Sequence, residues 1–266
     1  MNPTGKKSWI FLLTLVFLVK VFSFFPDQVE KYYSGGLYPV IAKCQRTLLG
    51  WIPVSVGDLL YLLLVALVIG ATVRFIKRLG SRQPGSSAVW RSMAKKIVFA
   101  GLWVYLCFNI CWGLNYNRRP VSAQFNLEME AYTVPALEKL VLLLRDSLNA
   151  LDESGHKQGA VLGAHQKIFG EAVAAYRNAA HRFSGLDYRV PSVKPSLFGY
   201  LCNYAGVSGY YNPFTGEAQV NTTIPAFTQP FVSCHEIGHQ LGYGKEDEAN
   251  FAGFLSASRA SDPVFR

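Results

Sequence analysis

Three stretches near the start of the chain are almost continuously apolar. Trp9–Phe25 is interrupted only by Lys20, whose aliphatic stem can lie along apolar surface while its amine reaches an interface. Leu59–Val73 is bracketed by Asp58 and Arg74 and extended by Phe75 and Ile76, and Ile97–Leu114 carries Trp103, Tyr105 and Trp112, rings suited to a membrane edge. A helix needs about 20 apolar residues to cross a bilayer, so the pattern predicts three transmembrane helices at about 9–25, 57–76 and 97–114. A cleaved signal peptide is the competing reading of the first. Lys20 inside the stretch, and no small-residue cleavage site after it, favour an uncleaved anchor.

Beyond residue 114 the pattern becomes amphipathic. Leu137, Leu140, Val141, Leu144, Leu148 and Leu151 recur at helical spacing, with Thr133 as a cap, and predict a helix over Val134–Glu153. A second helix is predicted over Gly159–Phe183. Val207–Asn212 and Glu217–Thr222, separated by Pro213-Phe214-Thr215-Gly216, read as a β-hairpin. The fold class expected is therefore mainly α: a membrane region over 1–114, then an α-rich domain over 115–266 with a small β-hairpin. The stretch between the first two spans, residues 26–56, is too apolar for a plain linker. It is expected as a loop along the outer interface or against the second domain. Gln83–Ser87 reads as a flexible turn.

Charge adds an orientation. Residues 1–114 hold 13 Lys/Arg against 3 Asp/Glu, whereas 115–266 hold 13 against 14. A basic half beside a neutral one suggests membrane flanks, and no basic run interleaved with aromatics supports nucleic-acid binding. Nine Lys/Arg lie in the N-terminal tail and the 74–96 loop, against five on the opposite side of the spans. The positive-inside rule then puts residues 115–266 outside the cytoplasm. Five cysteines exclude a complete disulfide framework. Cys202 and Cys234 could pair in an oxidising compartment, while Cys107 and Cys111 read as packing. Asp262-Pro263 resembles a helix start, yet only three residues follow it, which suggests a shortened or fragmentary chain.

The chemistry lies in Cys234-His235-Glu236-Ile237-Gly238-His239. Two His four residues apart on a helix sit about 40° apart around its axis, one turn above the other, so both rings can meet one metal ion. Glu236, about 100° from His235, can reach a water on that metal as general base. Gly242 and Gly244 predict the helix end, and the acidic run from Lys245 to Glu248 opens another. A two-His zinc site needs a third protein ligand, which Glu246 or Glu248 can supply. Tyr210 or Tyr211 could donate to a developing oxyanion, and the hairpin edge could bind an extended peptide. His156, His165 and His181 have no partner at ligand spacing and read as surface or packing residues.

Glu246-Asp247-Glu248-Ala249-Asn250 resembles the E-x-E-A-[DN] element that follows HExxH in gluzincin peptidases. More widely, Lys194-Pro195-Ser196, the run Gly206–Asn221, Pro230-Phe231, the HExxH block, Gly57–Tyr61 and Trp112–Tyr116 are similar to an uncharacterised family of bacterial membrane proteins. That family is catalogued as a domain of unknown function with a zinc-peptidase-like site. The resemblance implies Glu246 as third ligand, with Glu248 the alternative, and Asn250 one turn on as its supporting partner. It implies a fold and a zinc site, with Zn²⁺ as cofactor, and supplies no substrate. Together with the apolar spans and the HExxH chemistry, the function expected is a membrane-anchored metallopeptidase in a lipid bilayer acting on a protein or peptide. The rival is a non-catalytic membrane sensor or scaffold whose zinc only ties two helices together.

Overall fold

A computed structural model describes residues 5–80, 87–158 and 164–266, the side chains at 78–80, 87–89 and 151–158 excepted. Chain contacts divide it into two units: residues up to 118 together with the turn Asn212–Glu217, and Arg119–Tyr211 with Ala218–Arg266. The fold is mainly helical with one small three-stranded sheet.

In the first unit, α1 (Lys6–Phe22) stops where Ser23 folds its hydroxyl back onto the Lys20 carbonyl at 2.7 Å. Its 17 residues span about 25 Å, short of the hydrocarbon thickness. The chain then bends by 98° into α2 (Pro26–Gln28), a π-helical stretch over Val29–Leu37 and α3 (Tyr38–Leu49). Residues 26–56, expected as a loop, are thus largely helical. Proline at the start of α2 and near the start of α3 suits positions where no helical donor is needed. Among the described residues two helices, α4 (Val56–Gly80) and α5 (Ser87–Cys111), are long and apolar enough to cross a membrane, and a third crossing is reached if the bent pair counts as one. On α4 the leucine, valine and isoleucine side chains from Leu59 to Ile76 are exposed.

Several polar contacts fix this unit. Arg118 forks onto the Glu30 carboxylate, Tyr33 donates to the Ile110 carbonyl, and Ser34 donates to Asn115. Trp112, Leu114 and Asn115 are buried in and beside the short 3-10 turn Gly113–Asn117. Buried Glu217 accepts from the Val56 and Gly57 amides at the N-terminus of α4 and from the Thr215 hydroxyl. A carboxylate there offsets both the unpaired amides and the helix dipole.

In the second unit, α6 (Val121–Gln124) leads through an extended stretch to α7 (Val134–Gln158). Helix α8 (His165–Ala180) buries Ile168, Phe169, Ala172, Ala175, Tyr176 and Ala179, a stripe at helical spacing. The part of the predicted second helix at 159–163, and the predicted turn at 83–86, fall outside the described residues. Strand β1 (Val193–Pro195), then α9 (Gly199–Ala205), β2 (Gly209–Asn212) and β3 (Glu217–Val220) follow. The hairpin is shorter than predicted, and β1, unforeseen, pairs parallel with β3 with Lys194 opposite Gln219, giving the order β1-β3-β2. Helices α10 (Gln229–Gln240) and α11 (Glu246–Ala257) complete the core with α8.

The predicted amphipathic helix is present as α7, and its apolar face is exposed. Asp262-Pro263 starts a turn, closed by Asp262 accepting from the Val264 amide, and not a helix. Cys202 and Cys234 form no disulfide with each other, and Cys234 is buried.

Candidate metal centre

Helices α10 and α11 approach closely because small residues line their contact. A Cβ on Gly253 would lie 3.0 Å from the His235 amide nitrogen, and one on Gly238 would lie 3.3 Å from the Ala249 carbonyl oxygen. Such spacing is tighter than an ordinary Cβ contact, so glycine suits both positions. Between the helices the chain reverses at Gly242, whose φ of 87° is a left-handed value that glycine adopts without strain. This tight turn lets α11 start beside the level at which α10 ends.

The turn brings the first residue of α11 to the two histidines. Glu246 Oε2 lies 3.3 Å from His235 Nε2, and Glu246 Oε1 lies 3.6 Å from His239 Nε2. One ligand atom from each of the three lies within 4.8 Å of the others. Tetrahedral ligands at about 2.1 Å from zinc stand about 3.4 Å apart, close to these two separations. Glu248 is not in this cluster: its buried carboxylate turns to Lys245, 3.4 Å away.

The opposite ring nitrogens fix the tautomers. His235 Nδ1 lies 2.9 Å from Asn250 Oδ1, and His239 Nδ1 lies 2.7 Å from the Tyr243 carbonyl oxygen. A carbonyl oxygen can only accept, so Nδ1 carries the proton in the neutral ring and Nε2 keeps its lone pair. Both lone pairs then face the Glu246 side. Asn250 takes the expected supporting position but serves His235 directly. The Tyr243 carbonyl is held in turn by the Tyr243 hydroxyl, which donates to Gly185, and by packing against Phe125.

Glu236 lies on the buried side of α10, and its Oε2 makes no hydrogen bond among the described residues. Burial, and secondarily the Glu246 carboxylate, push its pKa well above the ordinary carboxylate value. Burial and then His235 lower that of His239. A buried acid with an idle oxygen beside the two imidazoles is placed to accept and return a proton.

Strand β2 reaches the cluster through its backbone. A Cβ on Gly209 would sit 2.5 Å from Glu236 Oε1 and 2.9 Å from Val232 Cγ1. Tyr210, named with Tyr211 as an oxyanion donor, has its hydroxyl 2.7 Å from the Ser196 hydroxyl. Farther along α10, Tyr188, Gln240 and Ser192 close a ring of hydrogen bonds, and the Tyr176 hydroxyl donates to the Cys234 carbonyl. These contacts seat the histidine helix on β1 and α8. Gly209, Tyr243 and Tyr176 escaped the sequence reading, because their roles depend on contacts across 27 to 58 residues or on a carbonyl that any residue could supply. His165 packs its ring on Phe169, and His181 is exposed.

This site sits in a chain whose residues 33–266 match the family described as "Protein of unknown function (DUF3810)". The match covers most of the sequence, so the chain belongs to that family. No curated protein and no solved structure matches it.

Proposed function

We propose that this protein is a membrane-anchored, zinc-dependent peptidase. One observation carries the reading: two Nε2 lone pairs and the Glu246 carboxylate converge, while Glu236, next to His235 in sequence, keeps a buried and idle oxygen. His235, His239 and Glu246 would hold the ion, with Asn250 and the Tyr243 carbonyl orienting the two rings. Zinc in such a site supplies Lewis acidity toward a carbonyl oxygen and toward water. Glu236 would accept the proton of the attacking water and return it to the leaving amine, and its raised proton affinity suits both halves. Strand β2 is at an edge of the sheet, so an extended peptide can pair with its open side while Gly209 keeps that edge close to Glu236. A zinc that only tied α10 to α11 would have no use for a buried, unpartnered carboxylate beside its ligands.

The two apolar helices would anchor the chain in a bacterial cell membrane, and the Lys/Arg asymmetry would put the metal centre on the extracytoplasmic side. Two experiments test these parts. In detergent, the full chain should cleave a peptide library, lose that activity to a chelator and regain it with zinc; cleavage that survives metal removal contradicts the reading. Reporter fusions after Arg119 and within Gln83–Ser87 should mark opposite sides of the membrane, and a cytoplasmic signal from the Arg119 fusion overturns the orientation.

A further inference from the structure

Helix α7 is 25 residues long, and every residue from 126 to 150 is exposed. Its apolar stripe is open: Val134 is 71% exposed, Leu137 47%, Val141 56%, Leu144 45% and Leu148 67%. A lone helix in water gains most of its stability from covering such a stripe. The stripe also has a defined period. Val134, Leu137, Val141, Leu144, Leu148 and, in the sequence, Leu151 are separated alternately by three and four residues. That is a heptad repeat over three heptads, with valine at two of the three first positions and leucine at every fourth position.

Lipid is a poor cover for this face. A helix lying in a membrane surface carries aromatic residues on one side and an excess of Lys/Arg on the other. Residues 134–158 contain no Phe, Trp or Tyr, and Lys139, Arg145 and Lys157 are outnumbered by Glu138, Asp146, Asp152 and Glu153. We infer that α7 is a self-association helix, pairing antiparallel with the α7 of a second copy of this chain.

Charge selects the direction. With the helices antiparallel and centred between Val141 and Leu144, the layers are Leu137 on Leu148 and Val141 on Leu144 of the second copy, each repeated by symmetry. The residues flanking the seam are then Glu138 beside Arg145 of the second copy, and the same pair again by symmetry. A parallel pair would set Leu140 beside Arg145 and Ser147 beside Asp152, with no opposite charges matched. Arg145 at present lies along Asp146 at 2.6 Å, both side chains being more than half exposed. Such a pair is worth little, so exchanging it costs little. Covering about 100 Å² at each of the five stripe residues and Leu140, on both copies, buries about 1,200 Å², the lower bound of a specific interface.

The test uses the full chain in detergent, oxidised and run on non-reducing gels against the unsubstituted chain as baseline. A chain carrying both Leu137→Cys and Leu148→Cys should give a covalent dimer well above baseline, while either change alone stays at baseline. The two positions are about 16 Å apart along one helix, so they cannot pair within a chain. Self-crosslinking by each single variant would mean a parallel pair, and no crosslinking by any variant would mean that α7 meets lipid or water; either result overturns the inference. Adding Glu138→Arg should reduce the dimer about tenfold, and adding Arg145→Glu as well should restore it. An unchanged yield in both cases removes the antiparallel charge match. All four positions are exposed, so these changes leave the fold intact.

Discussion

Helices α10 and α7 belong to the same unit and have opposite surroundings. Ten of the twelve residues of α10 are buried, among them Glu236, His239, Gln240 and Ser233. No described residue of α7 is buried, although seven of its leucines lie between 134 and 151. Polarity alone therefore does not decide which helix enters the core. The polar residues of α10 are buried because most have a fixed partner: His239 has the Tyr243 carbonyl, Gln240 has Tyr188 and Ser192, and Ser233 has the Gln229 carbonyl. Burial of such groups costs little once their hydrogen bonds are made. Glu236 Oε2 departs from this rule, and an unsatisfied group kept at a cost of about 1–3 kcal/mol is where function is expected.

Changes where α11 packs on α10 should be large, and the same experiments on α7 should register little. The largest effect is expected for zinc affinity measured by metal titration. Glu246→Ala should lose most of it, Asn250→Ala about 10–100-fold, and Glu248→Ala almost none. Wild-type affinity in Glu246→Ala would transfer the ligand role to Glu248. Next comes stability under denaturant. Gly253→Val pushes carbon into the His235 backbone and should cost about 3 kcal/mol. Leu143→Ser, on the side of α7 away from the proposed seam, should stay within about 0.5 kcal/mol. Equal losses from the two would dissolve the contrast between the helices.

Much of this contrast was legible in the sequence, and what was not has a physical cause. The spacing of His235, Glu236 and His239 is local, so helix geometry alone brings the two rings together. The choice of Glu246 over Glu248 could not come from helix geometry, because it depends on how tightly the chain turns at Gly242. The approach of Gly209 to Glu236 is tertiary and leaves no local mark beyond the glycine itself. Strand β1 is three residues long and ends in proline, too short for any alternation to show. The first apolar stretch gave a helix as expected, but its end at Phe22 was hidden by an apolar run that continues to Phe25. For α7 the periodicity foretold the helix correctly and could not say that its face would be left open.

The most direct test of the central claim is the single change Glu236→Gln in the full chain, with zinc content and peptide cleavage measured on the same preparation. Glutamine keeps the size of the side chain and removes its ability to take a proton. Because Glu236 stands outside the His235–His239–Glu246 cluster, zinc should remain at the wild-type ratio while cleavage falls by about 10²–10⁴-fold. Cleavage equal to that of the wild type, with zinc still bound, would contradict the account.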